Sequence, residues 1–125
     1  MIEVTSITDT LMRHKYGNFN QNQISEIKQE MRKRIFYFIL IADPETCEQY
    51  KNVDVEAAFS SELLWLGGLN DILFCPPELV RIIGLLEAAL HEYQSPSWGN
   101  IPFRQSMYRK LVLDAGSEVL KIKEV

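Results

Sequence analysis

The chain has 125 residues and a formal net charge of −4, with 46% hydrophobic and 24% charged side chains. These are ordinary globular values, and the length suits one domain that buries a core without disulfides or a metal. No apolar run reaches the roughly 18 residues of a membrane span. Met1 to Thr10 lacks the basic start and continuous apolar stretch of a signal peptide. Cys47 and Cys75 are the only cysteines, so two free thiols in a cytoplasmic protein are expected.

The breakers divide the chain into helices. Thr8 to Lys15 reads as a short first helix with Ile7, Leu11 and Met12 inward, ended by Gly17-Asn18. Asn20 and Gln23 have the spacing of a capping box, in which each side chain satisfies the other residue's backbone N–H. After that cap, Ile24, Ile27, Met31, Ile35, Phe38, Ile39 and Ala42 recur at steps of three and four, the spacing of one helix face. From Ile35 the remaining faces are apolar too (Phe36, Tyr37, Leu40, Ile41), which predicts a central rod near residues 22–42 that its neighbours enclose. A strand over Ile35–Ala42 is the competing reading, but the helical phase is already set over the preceding turns.

Asp43-Pro44-Glu45 is the sharpest boundary, since Pro44 cannot continue a helix yet suits the first position of a new one. A short helix over Pro44–Lys51 is expected, then one opened by Asp54 with Val55, Ala58, Phe59, Leu63 and Leu66 inward. Gly67-Gly68 should kink or end it, because two glycines cost a helix about 2 kcal/mol relative to alanine. Leu69–Phe74 then follows as a separate short piece. Pro76-Pro77-Glu78 starts a strong helix to about Gln94, with Leu79, Ile82, Ile83, Leu86, Ala89, Leu90 and Tyr93 inward. Ser95-Pro96-Ser97 stops it. Pro102 starts the last helix, on the inner stripe Met107, Leu111, Ala115, Val119 and Ile122. The expected fold is all-α: a single domain, 1–125, built as a compact bundle of five to six helices.

Charge is unevenly distributed. Residues 43–92 hold ten acidic side chains against Lys51 and Arg81, whereas residues 1–42 and 93–125 each balance at +2. Terminal helices that lay basic faces beside the acidic middle would satisfy this internally. A free acidic surface for a basic partner is the alternative.

Catalytic and metal patterns are weak. Glu87 and His91 lie four apart and Glu92 is adjacent, but the chain has no Glu-x-x-His pair and no second histidine of a metalloprotease helix. Cys47 sits early in its expected helix, where a dipole lowers a thiol pKa, with no histidine near in sequence. Cys75, between Phe74 and two prolines, reads as a buried small hydrophobe. No serine lies in a nucleophile elbow and no glycine-rich phosphate loop is present. Asp54, Glu56, Glu62 and Asp71 are expected on a solvated helix face. No catalytic, metal-binding or cofactor-binding residue is assigned.

Binding surfaces are better supported. Leu63–Leu69 is apolar on every helix face, so Leu64 and Trp65 are candidates for cover by another chain, and Trp98 in the Ser95–Ile101 loop either pins that loop or meets a partner. Arg32, Lys33 and Arg34 on the long helix, with Arg104, Arg109 and Lys110 on the last, are candidates for nucleic-acid contact if their helices pack together. The acidic pI of 5.2 argues against that role. The expected function is a non-catalytic protein-protein interaction or regulatory module whose partner is another protein or a second copy in a homodimer, not a membrane. A nucleic-acid-associated subunit and an acidic inhibitor or immunity-type protein are the alternatives.

Overall fold

A computed structural model describes residues 12–42 and 48–122. It contains a two-stranded hairpin, β1 (Met12–His14) and β2 (Gly17–Phe19), then four helices: α1 (Gln21–Ala42), α2 (Val55–Ile72), α3 (Pro77–Tyr93) and α4 (Pro102–Val119). The all-α class therefore holds in the main, with four helices among the described residues instead of five to six.

The helices form a ring. α1 packs on α2 and α4, and α3 packs on α2 and α4, while the diagonal pairs barely touch. The residues that meet run in opposite chain directions. Arg34 bonds Glu62 while Phe38 stacks on Phe59, and Phe36 touches Gly116 while Lys28 reaches Ile122. Each helix is thus one wall around a shared core that includes Ile35, Phe59, Leu66, Leu79, Ile82, Leu86 and Val112. This corrects the expected central rod. As a wall, α1 keeps one face in solvent, and its Tyr37 and Leu40 stay exposed.

The N-terminal helix is also corrected. Its described part, Met12–Lys15, lies in an antiparallel hairpin with Met12 opposite Phe19 and His14 opposite Gly17; Thr8 to Leu11 lie outside the described residues. Gly17 has φ 151°, which L side chains rarely adopt, and the Lys15 N–H donates to the Ile72 carbonyl at 2.9 Å. The turn is tied to the end of α2, and Met12 drops into the core. Asn20 and Gln23 then form the expected capping box, each backbone N–H donating to the other's side-chain oxygen at 2.9 Å. Of the predicted α1 stripe, Ile24, Met31, Ile35 and Phe38 are buried, and Ile27, Ile39 and Ala42 are half-buried.

Of the expected helix Pro44–Lys51, Pro44 to Cys47 lie outside the described residues and Glu48–Lys51 form a turn. Asp54 caps α2 by accepting the Ala57 N–H at 3.0 Å. α2 then runs unbroken through Gly67-Gly68, contrary to the predicted break. Fully buried Leu66 and half-buried Leu63, Leu69 and Ile72 hold this stretch on the core. Burying such side chains is worth about 1.5–3 kcal/mol each, more than the roughly 1 kcal/mol penalty per glycine.

α2 ends in a Schellman motif without glycine. The Phe74 N–H donates to Asp71 and the Cys75 N–H to Asn70, with φ of 64° at Phe74 and 55° at Cys75. That conformation turns Cys75 outward, so its thiol is exposed and not buried as expected. α3 begins at Pro77 as predicted and buries Leu79, Ile82, Leu86 and Ala89. α4 begins at Pro102, and Ala115, Val119 and Ile122 of its expected stripe are buried, but its first half differs. Tyr108 and Val112 go inward, while Met107 and Leu111 are only half-buried.

Candidate interaction surface

The acidic middle of the chain is engaged by its basic ends. Arg34 on α1 meets Glu62 on α2 at 2.9 Å, Lys15 in the hairpin turn meets Asp71 at 2.9 Å, and Arg104 on α4 meets Glu92 on α3 at 2.7 Å. Glu56 accepts from the Gln94 amide, and Asp54 is occupied as a cap. Glu62 was expected on a solvated face. Its side chain is only 6% exposed, because it faces α1 across the helix interface. The carboxylates considered for an inhibitor surface are therefore each bonded within the fold.

A second buried carboxylate, Glu118 on α4, takes Arg81 of α3 at 2.6 Å and Lys121 at 3.5 Å. The Arg81 hydrogen bond holds its carboxyl below the usual range despite the opposing effect of burial. The Tyr108 hydroxyl donates to the Phe38 carbonyl at 2.6 Å, and burial pushes its phenol well above the ordinary value. These groups lock neighbouring helices together.

The predicted partner-binding residues do not form one patch. Leu64 is 78% exposed. It lies about 200° around the helix from both Glu62 and Leu66, on the side of α2 opposite the core. Trp65 is half-buried against the core with the Arg34 guanidinium 4.2 Å from its ring centre. Trp98 packs edge-on against Tyr93 at 5.1 Å and Tyr108 at 5.2 Å, so it pins its loop to the bundle.

The basic candidates divide in a similar way. Arg34 and Arg104 are committed to Glu62 and Glu92, and Lys110 bonds Asp114 on its own helix at 2.8 Å. Arg32 lies 5.1 Å from the Phe36 ring centre, and its Nε has no hydrogen-bond partner among the described residues. Lys33 and Arg109 are exposed. Because α1 and α4 run in opposite directions, Arg32 lies level with Leu120, whereas Arg109 borders Ile39 and Ala42. The packing of these two helices brings Arg32 and Arg109 onto one seam and leaves Arg104 beyond it.

That seam also carries an apolar strip that sequence patterning missed. Phe36 rests on α4 at Gly116, where the absent Cβ leaves room for its ring. Leu40 lies one turn along α1 from Phe36. Leu113 and Leu120 lie one turn on either side of Gly116, and the two are 43% and 60% exposed. The only sequence sign of this arrangement is a lone glycine inside an otherwise helical pattern.

The fold and its surfaces define a small helical bundle with exposed apolar side chains along the α1–α4 seam and a wider hollow between α1 and α2, bordered by Phe36, Tyr37, Leu40, Ala58 and Glu62. Comparison with protein-family models, curated proteins and solved structures finds no match. His14 stacks on Phe19 at 4.2 Å, and His91 and Glu87 are exposed on α3. Among the described residues no group of three His, Cys, Asp or Glu side chains is placed to hold a metal ion, and no helix is long and apolar enough to cross a membrane.

Proposed function

We propose that this chain is a non-catalytic protein-interaction module and that its contact face is the outer side of α1 and α4. The observation that carries this is the seat of Phe36 on α4 at Gly116, with Leu113 and Leu120 exposed one turn to either side and Leu40 exposed one turn along α1. Scattered exposed leucines such as Leu64 are normal on any protein, whereas a contiguous strip is the usual mark of an interface. Further support comes from the polar groups, whose strongest contacts hold helices together: Arg34–Glu62, Arg81–Glu118 and Tyr108–Phe38.

The test is a photo-crosslinking side chain placed at Leu113, with Leu64 as the comparison position, in cells that make the protein. A discrete protein adduct from position 113, lost when Leu40→Glu is added, is the expected result. An adduct of twice the chain mass identifies the partner as a second copy. Adducts from position 64 alone, or from neither position, refute the assignment of this face.

A further inference from the structure

We infer that the hollow between α1 and α2 is a binding site for a small amphipathic carboxylate of the medium-chain fatty-acid type. This goes beyond the interaction function proposed above and does not depend on it. The hollow has a volume of about 570 Å³, within the roughly 300–1,000 Å³ of small-molecule sites, which are mostly apolar with a few polar groups that fix orientation.

Its two ends differ in chemistry. At one end Arg34 of α1 meets Glu62 of α2, and Lys33 stands beside them on the rim. Further along α1 the walls become Tyr37, Phe38 and Leu40, with Ala58 of α2 opposite. Phe38 is a buried floor there, stacked on Phe59 at 4.2 Å, while Tyr37 is braced edge-on by Tyr50 at 6.0 Å. Tyr37 and Leu40 remain exposed because the ring of four helices encloses only the inner side of α1. Ala58 contributes a single methyl group, which keeps the space between the helices open.

The polar end selects the head group. Arg34 is committed to Glu62 at 2.9 Å and reaches Glu30 at 3.8 Å, and the Glu62 side chain is only 6% exposed. An entering ligand therefore meets the exposed ammonium of Lys33 before it meets the inner ion pair. A carboxylate at the rim gains a charge-assisted bond from Lys33 without displacing Arg34 from Glu62. Lys33 and Leu40 stand about 10 Å apart along α1. A medium-chain acid laid along the hollow spans that distance, with its carboxylate at Lys33 and its methyl end against Leu40 and Ala58.

The experiment titrates the full chain with hexanoate, octanoate and decanoate below their micelle concentrations, with octanol and octylammonium as comparison probes. Binding is followed by amide and methyl chemical shifts. Saturable binding is expected, with the largest shifts at Lys33, Tyr37, Leu40 and Ala58. Affinity should rise about two- to fourfold with each added methylene, as for groups leaving water. Lys33→Glu, at an exposed position, should weaken octanoate about fivefold or more and leave octanol nearly unchanged. Leu40→Ser should weaken decanoate more than hexanoate, and Ala58→Phe, which fills the hollow, should remove binding of all three acids.

Octanol or octylammonium binding as tightly as octanoate overturns the inference, as does affinity that ignores chain length. Shifts that map to another part of the bundle overturn it as well, and so does the lack of saturable binding by any of the acids. Leu40→Ser and Lys33→Glu alter exposed side chains, so they decide the matter even if Ala58→Phe disturbs the packing of α2.

Discussion

Gly116→Ala and Gly67→Ala are the same substitution in two helices, yet the structure sets opposite outcomes. At Gly67 nothing lies within 4 Å of a new Cβ, so the variant collects the helix-propensity gain of about 1 kcal/mol. At Gly116 the new Cβ would stand 2.6 and 2.7 Å from Cε1 and Cζ of Phe36. Carbon atoms prefer about 3.5–4.0 Å, so the ring must retreat by about 1 Å. Forcing an extra methyl into packed surroundings costs about 1–3 kcal/mol, which exceeds the propensity gain. The expected net loss is about 1 kcal/mol, placing the two variants about 2 kcal/mol apart.

For a domain of this size, about 1 kcal/mol moves the melting temperature by roughly 4 °C. Thermal and urea unfolding followed by far-UV circular dichroism should therefore show Gly67→Ala melting higher than the parent and Gly116→Ala lower. Phe36→Leu added to Gly116→Ala should reduce the glycine effect, because the smaller side chain clears the new methyl. If Gly116→Ala stabilises as much as Gly67→Ala, Phe36 does not rest on α4 and the seam is built differently.

Three further substitutions probe the helix locks. Arg34→Ala leaves the buried Glu62 carboxylate without its cation and should cost about 2–3 kcal/mol, with a change in Trp65 fluorescence; a loss under about 1 kcal/mol in urea unfolding contradicts a buried pair. Tyr108→Phe removes the hydroxyl that donates to Phe38 and should cost about 1 kcal/mol, measurable as a lower urea midpoint at unchanged slope. Glu118 has a folded-state pKa below its ordinary 4.5, so unfolding takes up a proton in that interval. Its contribution is present above pH 4.5 and lost as pH falls through the lowered value. Glu118→Gln should cost about 1–2 kcal/mol at neutral pH, and that cost should shrink steadily on acidification. A cost independent of pH refutes the ion-pair assignment.

Much of the helical framework was legible because its signals are local. The Asn20–Gln23 cap, the Asp54 cap and the starts at Pro77 and Pro102 depend on groups within one helical turn, and each appears where patterning put it. The α3 stripe was read in phase, with Leu79, Ile82, Leu86 and Ala89 buried, although Val80 on another face stays exposed. The first half of the α4 stripe was misread, while Ala115, Val119 and Ile122 were placed correctly, because Met107 and Leu111 rival Tyr108 and Val112 in apolarity. The choice falls to Tyr108, whose hydroxyl finds the Phe38 carbonyl, and to Gly116, which admits Phe36. Gly67-Gly68 was misread for a related reason, since the penalty of a glycine is visible locally while the burial of Leu66 that offsets it is not.

The candidate surface was legible only in fragments. Arg32 and Arg109 were singled out as basic residues on two helices, but their shared seam depends on α1 and α4 being antiparallel neighbours. Leu64 and Trp65 drew attention as apolar residues in a run without a polar face. The bundle then gave Trp65 a partner in Arg34 and left Leu64 alone.

By itself, then, the order of residues determined where most helices begin and which faces of α1 and α3 are oily, because capping and periodicity act within a few residues. Only the tertiary structure decided that α1 is a wall and not an axle, that two carboxylates go inside, and which apolar side chains remain in water. Those outcomes depend on how far one helix stands from another, and that distance is set by side chains remote in the chain, such as Phe36 lying on Gly116.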